Sequence, residues 1–115
     1  MSSSPGLTIR DVGSDAGHRL VLAGELDIAS APILEATIGA LCGNGTRGVV
    51  LDLSELVFMD STGLRAVLAA EKLCSGDGQE FSLVGANGAV KRLFELTGVI
   101  GALRFESEDS GGARS

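Results

Sequence analysis

Val49-Val50-Leu51-Asp52-Leu53, then Leu56-Val57-Phe58-Met59, then Asp60-Ser61-Thr62-Gly63-Leu64 is the stretch that decides the fold. Four apolar or β-branched positions interrupted only by Asp52 predict a short buried strand at about residues 48–53. Leu64, Val67, Leu68 and Leu73 then recur at helical spacing in an alanine-rich run, which predicts a helix at about 62–74. A turn must join the two. Asp60, Ser61 and Thr62 all suit the start of a helix, because a side-chain oxygen there accepts from the unpaired first-turn amides. Gly63 lets a neighbouring backbone approach closely.

That turn admits two uses of Ser61. It can cap the helix, an effect of only about 1 kcal/mol that implies no partner. Alternatively, its exposed hydroxyl can carry a phosphoryl group, held by the open amides and the positive end of the helix dipole. Such a group brings about −1.5 to −2 charges and three strong acceptor oxygens beside the Asp60 carboxylate. The residues alone leave both uses open.

Outward from this centre, the pattern predicts strands at about 7–12 and 18–23, joined by a turn through 13–17, as a hairpin at one sheet edge. Gly24 to Asp27 forms a short extended piece. Ser30, with Pro32 in the first turn, opens a helix over about 30–42. Ile33, Leu34, Ile38 and Leu41 share its packing face, while Glu35, Gly39 and Cys42 point more outward. After the loop Ser75-Gly76-Asp77-Gly78 comes a strand at Glu80–Val84, then a helix marked by Val90, Leu93, Phe94 and Thr97 and ended by Gly98. Leu103 and Phe105 anchor a last short strand. Strands alternating with helices predict an α/β fold: a mixed sheet with parallel crossovers and an antiparallel edge, covered by helices. The 115 residues suit one domain. Its expected core spans about 7–105, and Ser- and Gly-rich mobile tails are expected at 1–6 and 106–115, where Ser107 and Ser110 read as solvated.

Composition excludes several functions. With 15 acidic against 9 basic residues and a net charge of −6, the chain lacks the clustered cations that a DNA backbone requires. Aromatic residues make up 3%, with no Trp or Tyr, so stacking platforms for single strands are scarce. No direct nucleic-acid partner is expected. No apolar run approaches the roughly 18 residues that span a membrane, and no signal segment opens the chain; a cytoplasmic protein with no membrane partner is the expectation. Cys42 and Cys74 lack metal-binding spacing, and His18 is the sole histidine. No metal and no cofactor are expected, and both cysteines read as reduced thiols, structural or incidental.

Phe58-Met59-Asp60-Ser61-Thr62-Gly63-Leu64 resembles the signature of STAS-domain anti-sigma factor antagonists. Gly24-Glu25-Leu26-Asp27 is similar to that family's acidic segment before the first helix, and Val90-Lys91-Arg92-Leu93-Phe94-Glu95-Leu96-Thr97-Gly98 to its last helix and following turn. Together these cover most of residues 7–105. The resemblance implies a STAS-like sheet and phosphorylation of Ser61. It also implies a partner-binding surface of Asp27, Asp60, Ser61, Thr62, Gly63 and Leu64. The implied partner is an anti-sigma factor that is also an ATP- and magnesium-dependent serine kinase; a phosphatase resets the switch. Binding of the unphosphorylated form would release a sigma factor, and phosphorylation would end it. Arg65 departs from the family pattern, which often has a small residue there, and adds positive charge beside the serine. The alternative within the same resemblance is a scaffold or accessory subunit of a sensory or transport assembly, with no phosphorylation cycle.

Other chemistry fits poorly. Asp27 and Asp52 do not by themselves make an acid–base pair; Asp52 reads as a strand-end residue bonded to nearby backbone, and Asp27 as either the family's surface carboxylate or a plain Asx turn. Ser61 lacks the Gly-x-Ser-x-Gly elbow of a hydrolase nucleophile, and His18, its one possible base, reads as a surface residue at the start of an edge strand. Gly85-Ala86-Asn87-Gly88 has no following Lys and Ser/Thr pair, so it reads as a turn with Asn87 as cap rather than a phosphate loop. The chain is expected to be no enzyme.

Overall fold

Along residues 48–59 the apolar side chains in the core are Val49, Leu51, Leu53, Leu56 and Met59, so a period of two stretches to three halfway along. The cause is visible in the pairing. The neighbouring strand advances from Val21 to Ala23 while this one advances from Asp52 to Glu55, and from Gly24 to Glu25 while this one advances from Leu56 to Phe58. Each irregularity inserts an extra residue, as a β-bulge does, and returns the next apolar side chain to the core face.

The computed structural model describes residues 2–4, 6–13 and 17–106. In chain order the elements are β1 (Ser2–Ser4), β2 (Leu7–Asp11), β3 (His18–Leu26), α1 (Ala31–Gly43), β4 (Gly48–Met59), α2 (Ser61–Gly76), β5 (Glu80–Val84), α3 (Gly88–Thr97), a 3-10 turn (Val99–Ala102) and β6 (Phe105–Glu106). The six strands form one sheet in the order β1-β2-β3-β4-β5-β6. β1 and β2 are antiparallel to their neighbours, whereas β3, β4, β5 and β6 run parallel. This is the mixed sheet with an antiparallel edge and helical crossovers that the alternating pattern predicts.

Several boundaries differ from expectation. Residues 2–4, expected within a mobile tail, pair with β2 from Ser2↔Ile9 to Ser4↔Leu7; an edge strand needs only backbone partners, so its three serines carry no apolar signal. Glu106, also assigned to a tail, closes β6, and residues 107–115, with Ser107 and Ser110, lie outside the described residues. β3 continues to Leu26 rather than ending at 23. It is an interior strand, so His18 opens a central element, where its Nδ1 pairs with Asp11. Leu103 is buried beside β6 rather than within it.

One apolar core joins the sheet to the helices. Leu20, Leu22, Leu51, Leu53 and Leu83 from the strands meet Leu34, Ile38, Val67, Ala70 and Phe94 from the helices. α1 and α2 lie against each other, and Cys42 belongs to this buried set rather than to the outward face expected for it. The reason is geometric: α1 packs against α2 as well as the sheet, so its buried arc is wider than one stripe. β4 pairs with β5 only as far as Asp52↔Val84. Beyond that point α3 flanks the overhanging half of β4, and Phe94 meets Phe105 edge-on at a centroid distance of 5.1 Å. Gly98, at φ 74°, ends α3 in the left-handed conformation that glycine tolerates.

Candidate functional site

The last paired residues of β3 and β4 are Leu26 and Met59, so the residues that follow them, Asp27 and Asp60, emerge side by side at the carboxyl ends of parallel strands. That is where open α/β sheets expose their loops to ligands and partners. The two loops are fastened together. The Asp60 amide donates to the Leu26 carbonyl at 3.3 Å, and Gly63 lies so close that a Cβ there would stand 2.3 Å from the same carbonyl oxygen. Gly63 is therefore required by contact.

Asp60 is the N-cap of α2. Its Oδ1 accepts from the Gly63 amide at 2.9 Å, and its carbonyl accepts from Leu64 at 2.9 Å. Capping thus falls to Asp60, which leaves Ser61 exposed at the first helical position with its hydroxyl uncommitted among the described residues. The amides of Ser61 and Thr62 also have no acceptor among those residues. An exposed hydroxyl above two open amides is a site where an anion can be attached and held. Arg65, exposed and four residues on, lies on the same helix face.

Asp27 does structural work on the other loop. Its Oδ1 accepts from the Ala29 amide at 3.0 Å and the Ser30 amide at 3.2 Å, and its own amide donates to Ser30 Oγ at 3.0 Å. Ser30 Oγ donates in turn to the Glu25 carbonyl at 2.9 Å. This reciprocal arrangement resembles a capping box. It gives the Asx-turn reading of Asp27 its geometry, while the position beside Asp60 keeps it on the site's rim.

Of the residues expected at the surface, Asp27, Asp60, Ser61 and Thr62 come together there. Gly63 and Leu64 do not: both are buried, Leu64 in the core beneath the turn, because a helix that starts on a sheet must turn its first apolar side chain inward. Sequence reasoning missed an apolar rim. Ile28 is 74% exposed, Val57 69% and Phe58 44%. The bulge turns Phe58, paired with exposed Glu25, to the face opposite the core. The available signal was an isoleucine inside an acidic turn, where no periodic face could bury it.

A sequence model described as "Mlab, STAS domain" matches residues 9–104. The chain belongs to the STAS-domain family. It is 31% identical over 93 residues to an anti-sigma-B factor antagonist of Staphylococcus aureus, covering 81% of this chain and 86% of that protein. Among solved structures it resembles an anti-sigma factor antagonist from Mycobacterium paratuberculosis, with TM-score 0.78, 28% identity and coverage of 91% of this chain and 89% of the other. The unphosphorylated form of the anti-sigma factor antagonist SpoIIAA shares the fold, with TM-score 0.72 at 20% identity over 91% of each chain.

In this STAS domain the other carboxylate considered, Asp52, sits apart from the loops, inside β4. It is 5% exposed, paired with Arg19 Nη2 at 2.6 Å and bonded to the Ser54 hydroxyl at 2.6 Å and amide at 2.9 Å. Asn87 occupies the N-cap position of α3, but its amide group donates to the Gly85 carbonyl at 3.0 Å instead of capping the helix. Among the described residues no His, Cys, Asp and Glu cluster has metal-site spacing, and no helix is long and apolar enough to cross a membrane.

Proposed function

We propose that this STAS domain is an anti-sigma factor antagonist working as a phosphorylation-controlled binding switch in the cytoplasm. The observation that carries the reading is the exposed Ser61 hydroxyl, relieved of capping by Asp60 and set above two open amides. Unmodified, the surface of Asp27, Asp60, Ser61 and Thr62, with the apolar rim of Ile28 and Phe58, docks an anti-sigma factor and so frees a sigma factor. Acidic side chains beside exposed apolar ones suit a partner face that is basic and apolar.

The partner is also the kinase. Ser61 Oγ takes the γ-phosphoryl group of ATP, its proton passes to a base on the kinase, and ADP leaves. Nucleotide and magnesium belong to that partner, and this chain contributes only the acceptor. A phosphorylated Ser61 adds about −1.5 to −2 charges beside Asp60 and Asp27. Docking would then force a dianion against Ile28 and Phe58, which costs far more than burying a hydroxyl. A phosphatase restores the hydroxyl. Incubation of the chain with candidate serine-kinase anti-sigma factors and ATP, followed by mass-spectrometric mapping, should place a single phosphate on Ser61; modification elsewhere with Ser61 untouched would refute the reading.

A further inference from the structure

Away from Ser61, the opposite ends of α1 and α2 hold two free thiols, and both are buried. Cys42 Sγ and Cys74 Sγ lie 3.4 Å apart, against a disulfide bond of about 2.05 Å. Each cysteine occupies the last turns of its helix, so the pair spans the α1–α2 contact at its far end. Cys74 lies 13 residues after Ser61 in α2, about 20 Å along the helix axis.

The surrounding structure holds these two positions in register. Gln79 clamps both backbones, its amide donating to the Cys74 carbonyl at 2.8 Å and its Nε2 to the Cys42 carbonyl at 3.4 Å. Its Oε1 is buried without a partner among the described residues. Glycine-containing loops follow both helices, at Gly45 and Gly78, so the small approach needed to bond the sulfurs falls next to compliant backbone. A thiol pair kept in contact by a shared clamp is more specific than two incidental core cysteines.

We propose that Cys42 and Cys74 form an oxidation-responsive site, a dithiol that a peroxide-class oxidant closes into an intramolecular disulfide stapling α1 to α2. Cys42 reacts first, since it retains slight exposure while Cys74 has none. Its thiolate attacks one peroxide oxygen, the O–O bond breaks, and the departing hydroxide takes up a proton, leaving a sulfenic acid on Cys42. The Cys74 sulfur then attacks the Cys42 sulfur, the S–O bond breaks and a second water leaves. Overall, two S–H groups and one hydrogen peroxide become one S–S bond and two waters. Burial, followed by the hydrogen bond and charge of Cys42, pushes the Cys74 thiol up to about 12. Closure is therefore slow in the fully packed chain and speeds up when the helix ends open. The site answers sustained oxidation rather than a brief pulse.

The test uses the full reduced chain treated with hydrogen peroxide, then denatured, alkylated and mapped without reductant. The expected result is loss of both titratable thiols, a monomer lighter by two hydrogens, and one linked peptide pair containing Cys42 and Cys74. Reversal by dithiothreitol and a rise of about 5–10 °C in the thermal midpoint of the oxidised form should accompany it. Cys42→Ala and Cys74→Ala variants that keep the native circular dichroism spectrum should each abolish the linked pair. Two thiols still free after prolonged oxidation, sulfinic acids in place of a bond, or links only between chains would overturn the proposal. The outcome is independent of Ser61, because no partner or kinase enters the measurement.

Discussion

Asp52 is a carboxylate that burial alone would push toward the neutral form. The Ser54 hydroxyl and amide and the Arg19 guanidinium outweigh that penalty and hold its carboxyl below the usual carboxylate range. Because the folded value is lowered, the stabilisation is present above the ordinary carboxylate range and is lost as pH falls through the folded value, that is, below about pH 4. Asp52→Ala should cost about 2 kcal/mol in urea unfolding at neutral pH, since it leaves Ser54 and Arg19 without their shared acceptor. The variant should also lose less stability than the wild type on acidification below pH 4. An unchanged midpoint would mean that solvent already satisfies Arg19 and Ser54.

The bulges of β4 explain both what was legible and what was not. Residues 48–53, apolar or β-branched but for Gly48 and Asp52, were readable as a strand, with the core side chains Val49, Leu51 and Leu53 two residues apart, as was Glu80–Val84, which forms β5 with those bounds. Residues 54–59 broke the alternation because two inserted residues shift its phase, and the exposed Phe58 was hidden with them. The three serines of β1 had no pattern to read. On α1, one stripe was legible as Leu34 and Ile38, but the second contact, through Cys42 to α2, cannot be seen from one helix alone. At the junction of β4 with α2, Asp60 and Ser61 were both recognisable as capping types; which of them caps is settled by the direction of the chain leaving Met59. Gly63→Ala tests that junction. Its methyl group would collide with the Leu26 carbonyl, a backbone atom that cannot swing aside. A loss of about 2–3 kcal/mol is expected, with hydrogen-exchange protection falling first at Asp60 and Leu64. A stability within error of wild type would show that the β3 and α2 ends are not pinned.

At the scale of the molecule, the Ser61 turn and the Cys42–Cys74 pair sit at opposite ends of α2. The net charge of −6 favours approach to basic surfaces and repels nucleic acid, and the exposed apolar side chains Ile28, Val57 and Phe58 lie at the carboxyl ends of β3 and β4. The proposed switch requires no moving part: a rigid sheet would present one hydroxyl, and a change in its charge would change what can dock. The most direct measurement is calorimetric titration of the cognate anti-sigma factor with wild type, Ser61→Ala and Ser61→Asp, on proteins matched for thermal stability. Ser61→Ala should bind within about threefold of wild type, and Ser61→Asp at least about tenfold more weakly, a difference of about 1.4 kcal/mol or more. Equal affinity of the alanine and aspartate variants would contradict control by charge at Ser61.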